Sequence, residues 1–534
     1  MQARSRPLFA AGVAVLLVGC GSHPEEIAKA PEPTPPPTEK RSAFDSNSWN
    51  SAIGLSGGTG ARFGGRLANT ESYAAVAESG FFATAAERLS TFAADVDTAS
   101  YANVRRMLAA GERPPADAVR VEEFVNAMDY DNPEPSGNEP FAIAGEVGPC
   151  PWAPGHELLR IGLKTRAIAT DKVPPCNLVF LLDVSGSMRS ANKLPLVQRA
   201  MALLVDQLRP QDRVAIVTYA AGVTVALDST TGDQQDRIHG VLCNLQSGGG
   251  TNGAGGIQQA YEIAQQHAGD AGISRVILCT DGDFNVGIRD VDALEEFIAT
   301  KRELGVFLTV LGVGHGNLKD DRLERLANRG NGVYAYLDSL AEARRVLVEQ
   351  FGASMMTVAK DVKLQVEFDP QMVAGYRLVG YENRVMAATE FRDDAVDAGE
   401  IGAGHALTAL YELVPFGQPV PGADGPVTVN ASVRRTLAAP LATLRLRYKP
   451  PHGDAAREVS VPLGGNRGPA GAPGSRDQIL ATAAAAFGML LHGSAHLGDF
   501  GFDDLAALLD DRALADGTGA GLRQMVDQAR ALGD

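Results

Sequence analysis

The feature that most constrains the fold is an alternation of short apolar runs with helical patterns between residues 177 and 352. The apolar runs have strand length and are nearly continuous, which is typical of strands buried on both faces of a parallel sheet. The segments between them repeat apolar residues at helical spacing. This alternation predicts a doubly wound, mostly parallel α/β sheet. In such a sheet a ligand site lies at the carboxyl ends of the strands, where the strand order reverses.

The boundaries of this α/β unit and its elements follow from the same pattern. We predict strands at residues 178–182, 214–218, 223–227, 276–279, 306–311 and 332–336. We predict helices at residues 194–208, 234–242, 254–267, 291–304, 318–327 and 340–351.

The segments on either side of the α/β unit are rich in alternating, strand-like patterns. We expect an α+β region at residues 85–175, a β-rich region at 353–470 and a helical tail at 471–534, around an α/β unit at 176–352. Asp97 or Thr98 is expected to cap the helix that follows. We predict that the two flanks form one shared β domain into which the α/β unit is inserted, because closing a long loop costs little entropy. Two separate small β domains are the alternative.

The first twenty residues have the pattern of a targeting segment. Arg4 and Arg6 precede an apolar stretch at residues 8–18 that is too short to span a bilayer. The stretch ends in Leu-Val-Gly-Cys, which resembles a bacterial lipobox and implies cleavage before Cys20 and lipid attachment there. An ordinary signal peptide or a free buried cysteine is the alternative. Gly21 follows the cysteine, which suggests delivery to the outer membrane, facing the periplasm or the cell surface. Residues 21–84 are rich in Pro, Ser and Gly and predict a disordered tether.

Charge and motif spacing exclude several function classes. The net charge of −16 disfavours nucleic acid as a partner, because an acidic protein repels phosphate backbones. The glycine-rich segment at residues 247–253 lacks the Gly-Lys-Ser/Thr of a phosphate-binding loop, so we expect no nucleotide.

Four cysteines remain beyond Cys20. Cys150 and Cys176 flank the start of the α/β unit and could form a disulfide in an oxidising compartment. Cys243 and Cys279 are expected to be buried thiols. None of the four has Cys-x-x-Cys spacing, so no zinc or thioredoxin-like site is indicated.

Oxygen-bearing side chains lie on three different loops at the switch-point edge of the predicted sheet. These candidate metal ligands are Asp183, Ser185, Ser187, Thr251 and Asp281. Carboxylate and hydroxyl oxygens suit a hard divalent cation, Mg²⁺ first, with Ca²⁺ and Mn²⁺ as alternatives. Because three of the donors are neutral hydroxyls, a bound ion would keep much of its charge and could accept a carboxylate from a protein partner. Helix capping by the same Asp and Ser residues is the alternative interpretation.

The spacing D-x-S-x-S, a Thr in a glycine-rich loop, and T-D-G after a later strand resembles the von Willebrand factor type A domain and its metal-ion-dependent adhesion site. The resemblance covers residues 177–352 and implies that the serines and the threonine contact the metal while the aspartates often act through water. The whole chain also resembles a family of bacterial von Willebrand A lipoproteins, through D-V-D-T-A-S-Y at residues 95–101, C-P-W at 150–152 and I-G-A-G-H at 401–405.

Two functions are compatible with these residues. We favour a non-enzymatic envelope lipoprotein that uses its metal to bind an Asp or Glu of a protein partner in adhesion or protein–protein interaction, with no catalytic residue. The alternative is a metal-dependent hydrolase of the cell envelope. It would need a general base near metal-bound water, and Asp283 is the only nearby candidate.

Overall fold

The computed structural model describes residues 70–75, 77–268, 272–282, 291–350, 356–396, 398–423, 440–451, 453, 455–464, 474–515 and 517–533. The predicted signal segment, Cys20 and the predicted tether up to residue 69 lie outside the described residues. Asp283, the candidate base of the hydrolase hypothesis, also lies outside them.

The elements are numbered in chain order. The strands are β1 (Phe82–Ala83), β2 (Leu89–Ala93), β3 (Phe141–Pro149), β4 (Glu157–Thr165), β5 (Cys176–Asp183), β6 (Arg213–Tyr219), β7 (Val223–Thr231), β8 (Ile273–Thr280), β9 (Val306–Val313), β10 (Tyr334–Leu337), β11 (Thr357–Phe368), β12 (Val373–Val379), β13 (Val385–Met386), β14 (Gly399–Gly402), β15 (Ala406–Pro415), β16 (Ala442–Lys449) and β17 (Arg457–Leu463). The helices are α1 (Ala99–Ala109), α2 (Val121–Asn126), α3 (Leu194–Val205), α4 (Gln235–Asn244), α5 (Gly253–Gln266), α6 (Val291–Glu303), α7 (Asp320–Arg329), α8 (Leu340–Arg344), α9 (Arg476–His492), α10 (Phe502–Leu508) and α11 (Gly517–Leu532).

The α/β unit is a six-stranded sheet with the strand order β10-β9-β8-β5-β6-β7. All neighbouring strands are parallel except β7, which pairs antiparallel with β6 at the edge. Every residue of β5 and β8 is buried, and separate apolar clusters cover the two faces of the sheet. This confirms the predicted doubly wound sheet. The order reverses at β5, since β6 follows on one side of it and β8 on the other.

The flanking segments form one β domain, here called the body. One of its sheets has the order β1-β12-β15-β4-β3, and the other has the order β13-β2-β11-β16-β17 with β14 paired to β11. Each sheet combines strands from before and after the α/β unit, and the two sheets share one apolar core. The predicted shared domain is confirmed, and the alternative of two separate β domains is wrong.

The C-terminal segment is helical, as predicted, and it belongs to the body's core. Helix α9 is buried along nearly its whole length, including its run of alanines. It packs against α2 and against strands β3 and β4, in an apolar cluster that also contains α1, α10 and α11. A helix buried on all sides is typical of a central core element. No helix among the described residues is long and apolar enough to cross a membrane.

Residues 70–75 and 77–84, which the sequence analysis assigns to the tether, pack onto the folded part of the chain. Ser72 bridges to Lys319 of the α/β unit, and β1 pairs with β12 of the body. The ordered region therefore begins at least fifteen residues before residue 85. The polar residues Thr70, Glu71 and Ser72 carry no sequence pattern that predicts order, because their contacts are hydrogen bonds rather than apolar burial.

Two local expectations are corrected by the described residues. Neither Asp97 nor Thr98 caps α1 through its side chain; Asp97 Oδ1 instead accepts the N–H of Tyr334, 3.1 Å away in the α/β unit. Cys150 and Cys176 are free thiols, so the disulfide considered between them is absent. Cys279 is buried as predicted, whereas Cys243 is half-buried.

Candidate metal site at the carboxyl ends of the strands

Strand β5 ends in a buried carboxylate that shapes the turn after it. Asp183 is fully buried, and its Oδ1 accepts the N–H of Ser185 at 2.8 Å. Its Oδ2 accepts the hydroxyl of Thr280, the last residue of β8, at 3.3 Å. The parallel pairing of β5 and β8 brings these two strand ends side by side. Asp183 therefore links two of the predicted ligand loops.

Two hydroxyls lead from this carboxylate toward solvent. Ser185 Oγ and Ser187 Oγ lie 2.9 Å apart. Ser185 is buried, whereas Ser187, in the short 3-10 helix at Gly186–Arg189, is exposed. The D-x-S-x-S spacing thus places a buried acid and two neutral oxygen donors along one path to the surface.

Asp281 follows β8 and is also fully buried. Its Oδ2 accepts from the ammonium of Lys193 at 2.8 Å. The same ammonium donates to Asn317 Oδ1 at 3.1 Å, in the loop after β9. Lys193 is itself buried, so one carboxylate oxygen of Asp281 is held by a fixed positive charge.

The glycine-rich loop that carries Thr251 lies against the turn after β5. Gly186 N donates to Gly249 O at 3.0 Å, and Gly248 N donates to Val184 O at 2.8 Å. Thr251 follows two residues later and is half-buried. The described residues thus bring all three predicted ligand loops to one edge of the sheet, at the point where the strand order reverses.

Burial and charge act together on Asp183. The pKa of Asp183 is raised to about 6, mainly by burial and also by the nearby charge of Asp281, while the hydrogen bonds from Ser185 and Thr280 oppose the shift. Two buried carboxylates with one buried ammonium carry a net negative charge. A cation among oxygen donors would balance that charge, so the residues fit a hard divalent metal.

A second group of acidic residues has a different role. Asp95, Asp97 and Glu324 bring carboxylate oxygens within 4.8 Å of one another. Arg384 lies beside them, 2.8 Å from Asp95 and 3.5 Å from Glu324. Because Asp95 and Asp97 come from the body and Glu324 from α7, this group fastens the body to the α/β unit.

Sequence reasoning named neither Lys193 nor Asn317 as part of the site. A single lysine just before a helix has the same sequence signature as a solvated surface lysine. Only the parallel arrangement of β5, β8 and β9 brings Lys193 into contact with Asp281 and Asn317.

Three sequence profiles match the chain. The profile described as the von Willebrand factor type A domain matches residues 177–350, one described as von Willebrand factor matches 67–160, and one described as the C-terminal part of the uncharacterized protein YfbK matches 353–532. YfbK of Escherichia coli K12 is 42% identical over 430 residues, which cover 77% of this chain and 72% of that protein. The chain belongs to the family of YfbK. Its α/β unit is a von Willebrand factor type A domain, which confirms the resemblance found in the sequence.

More distant relatives match smaller parts of the chain. The uncharacterized protein sll0103 of Synechocystis is 27% identical over 214 residues, or 40% of this chain and 50% of that protein. The human inter-alpha-trypsin inhibitor heavy chain H2 is 28% identical over 168 residues, which cover 30% of this chain and 17% of that protein. Among solved structures, the von Willebrand factor type A protein of Catenulispora acidiphila is 17% identical. It has a TM-score of 0.39 and covers 76% of this chain and 91% of its own.

Proposed function

We propose that this YfbK relative binds one divalent cation, Mg²⁺ first, through Asp183, Ser185, Ser187, Thr251 and Asp281. The bound ion then takes a carboxylate of a protein partner as a further ligand. The observation that carries the proposal is the meeting of three loops at the switch point. Two buried carboxylates lie there behind a hydroxyl pair whose outer member, Ser187, is exposed.

The donor chemistry favours binding over catalysis. The hydroxyls are neutral, and Lys193 already holds one oxygen of Asp281, so an ion at this edge keeps part of its positive charge. Such an ion attracts an incoming carboxylate. Asp283, the candidate general base of the hydrolase alternative, lies outside the described residues, so that alternative rests on the sequence alone.

A lipid anchor at Cys20 would present this site in the bacterial cell envelope, with the outer membrane as the first candidate. The support is the lipobox-like sequence alone. Metabolic labelling with a radioactive fatty acid tests it. Label on the parent and none on Cys20→Ser is expected, and equal label on both would contradict the anchor.

The binding proposal is tested with Mn²⁺ as a paramagnetic probe of the full chain. Water on bound Mn²⁺ relaxes quickly, so binding raises the water proton relaxation rate. Addition of an aspartate-containing peptide should lower that rate by displacing water from the ion. Asp183→Asn keeps the side-chain volume and an acceptor for Ser185 but removes the charge, and we expect at least tenfold weaker Mn²⁺ binding.

The matched control is Asp228→Asn, an exposed aspartate on β7 of the same sheet. It should bind Mn²⁺ as the parent does. Equal binding by the parent and Asp183→Asn would overturn the assigned site. Mn²⁺ binding without any response to the peptide would overturn the role of the carboxylate partner.

A further inference from the structure

The first described residues of the chain lie along the α/β unit as an extended strap, defined here as residues 70–75. Thr70 N donates to Gly316 O at 2.8 Å, and Ser72 N donates to Leu318 O at 3.0 Å. Asp320 N returns a bond to Ser72 O at 3.2 Å. These main-chain bonds add the strap, in parallel, to the segment that follows β9. That segment, residues 314–319, is called the 314–319 loop below.

Side chains fasten the strap on both sides. Glu71 Oε1 accepts the N–H of Gly316 at 2.7 Å, and the same carboxylate pairs with Arg106 of α1 at 3.2 Å. The hydroxyl of Tyr73 donates to Glu71 at 2.8 Å and accepts from the amide of Asn103, also on α1, at 2.9 Å. The strap therefore joins the body's helix α1 to the 314–319 loop.

The 314–319 loop in turn borders the candidate metal site. Asn317 Oδ1 accepts from Lys193, whose ammonium also holds Asp281. Gly282, the residue after Asp281, packs so closely on this loop that a Cβ there would lie 2.6 Å from Asn317 O and from Lys319 N. The position of the loop therefore fixes Lys193, which donates to Asp281, and it fixes the backbone next to Asp281.

We propose that the strap and the candidate metal site are coupled, so that seating of the strap strengthens cation binding and cation binding strengthens seating of the strap. This inference rests on the proposed function. The physical reason is preorganisation: a seated strap holds the 314–319 loop, and the loop holds Lys193 and Gly282 on either side of Asp281. Coupling between two sites is reciprocal, so each event shifts the other by the same factor.

Through this coupling, a force on the N-terminal end of the chain would change cation binding at the candidate metal site. The strap is the first described segment after the lipobox-like motif, so a pull from an anchor at Cys20 would reach it before the rest of the described chain. A partner that holds the metal while the anchor is under load would be released as the strap lifts. The device would thus set how firmly a partner is held.

The test uses the full chain with a proline in the strap. Ser72→Pro removes the N–H that donates to Leu318 O and should unseat the strap. Ala74→Pro is the matched control, because Ala74 is exposed and its N–H donates to no described residue. Glu71→Gln is a milder second variant, since it keeps an acceptor for Gly316 N and loses only the charge facing Arg106.

Two readouts are measured on each variant. Mn²⁺ affinity should fall at least fivefold in Ser72→Pro, less in Glu71→Gln, and not in Ala74→Pro. In chelator, hydrogen exchange at the amides of Gly316 and Asp320 should quicken most in Ser72→Pro, less in Glu71→Gln, and not in Ala74→Pro. In the parent, Mn²⁺ should slow exchange at these same amides.

The outcomes separate this inference from the proposed function. If the parent binds Mn²⁺ and Ser72→Pro exchanges faster but binds with unchanged affinity, the coupling is wrong and the metal site stands. If exchange at the amides of Gly316 and Asp320 is unchanged in Ser72→Pro, the strap does not hold the 314–319 loop and the inference fails. If the parent binds no cation, the proposed function fails and the coupling fails with it.

Discussion

At the residue scale, burial of single charged groups decides much of the chemistry. Glu122 of α2 is buried, and its Oε2 has no hydrogen-bond partner among the described residues. The pKa of Glu122 is raised to about 7, mainly by burial and also by the charges of Glu382 and Asp95, while backbone hydrogen bonds oppose the shift. The carboxyl therefore keeps its proton in the folded protein at a pH where the unfolded chain would release it.

This gives a pH prediction with a fixed sign. The proton on Glu122 stabilises the fold fully below its unfolded pKa of 4.5, and that stabilisation is lost as pH rises through about 7. Between pH 5.5 and 8.5 the loss is about 2 kcal/mol. In Glu122→Gln this part of the pH dependence should vanish, so the variant should be relatively more stable at pH 8.5. Urea unfolding at both pH values measures the difference.

The control for this prediction is Glu112→Gln, because Glu112 is exposed in the loop between α1 and α2. Its pH profile should match that of the parent. A Glu122→Gln profile as steep as the parent's would show that other groups carry the pH dependence.

The residue scale also shows where sequence reasoning ends. The D-x-S-x-S and T-D-G spacings identified residues that the described structure brings to one sheet edge, because the order of parallel strands fixes where their ends meet. Asp97 is different: its sequence position favoured a helix cap, but its side chain bonds to Tyr334 on another domain. A contact over that separation in sequence leaves no local pattern.

At the element scale, the loop after β8 packs closely against the 314–319 loop, and this contact fixes one side of the candidate metal site. Gly282 has φ +106°, and its Cα faces the backbone of the 314–319 loop. A Cβ would meet main-chain atoms there, which cannot rotate away. The glycine of T-D-G is therefore required by packing as well as by its backbone conformation.

We predict that Gly282→Ala destabilises the α/β unit by roughly 2–4 kcal/mol, because it combines a strained backbone with overpacking. Gly305→Ala is the matched control: its φ is +81°, but a Cβ would meet nothing within 4 Å. It should cost only about 1 kcal/mol, for the conformation alone. Chemical denaturation of the three proteins measures both values. Equal losses in the two variants would contradict the close approach at Gly282.

Element boundaries were predictable where periodicity was strong and less so elsewhere. The apolar strands of the α/β unit were found within a few residues, since burial on both faces leaves long hydrophobic runs. The helix predicted to end at residue 208 ends at Val205. The alanine-rich helix α9 lies in the segment predicted as a helical tail, but its central burial was not predicted, because alanine periodicity does not distinguish a surface from a core.

At the scale of the whole molecule, the α/β unit is inserted into the body and held by buried ion pairs. Arg120 of the body lies 2.7 Å from Asp320 and 2.8 Å from Glu324 on α7. Arg384, from the segment that follows the α/β unit, forms an ion pair with Glu324 of the same helix. Separating the two charges of a buried ion pair leaves each charge uncompensated. These ion pairs therefore resist separation of the two domains. The sheet edge that carries the candidate metal site is thereby held in a fixed orientation to the body.

The domain plan was predictable from chain order, since β-rich flanks on both sides of an α/β unit favour a shared sheet. The strap was not predictable, because its residues are polar and bind through hydrogen bonds to a loop about 245 residues away. Compositional reasoning assigns such a segment to a linker.

The measurement that tests the central claim most directly is thermal unfolding of the full chain with and without divalent cations. Parent and Asp281→Asn are compared in chelator and in millimolar Mg²⁺, Ca²⁺ or Mn²⁺. A cation at 100 times its dissociation constant stabilises the native state by about 2.7 kcal/mol. For a domain of the size of the α/β unit, this raises the unfolding temperature by roughly 5–10 °C. The account predicts that rise in the parent and its loss in Asp281→Asn. No rise with any of the three ions, or an equal rise in the variant, would contradict it.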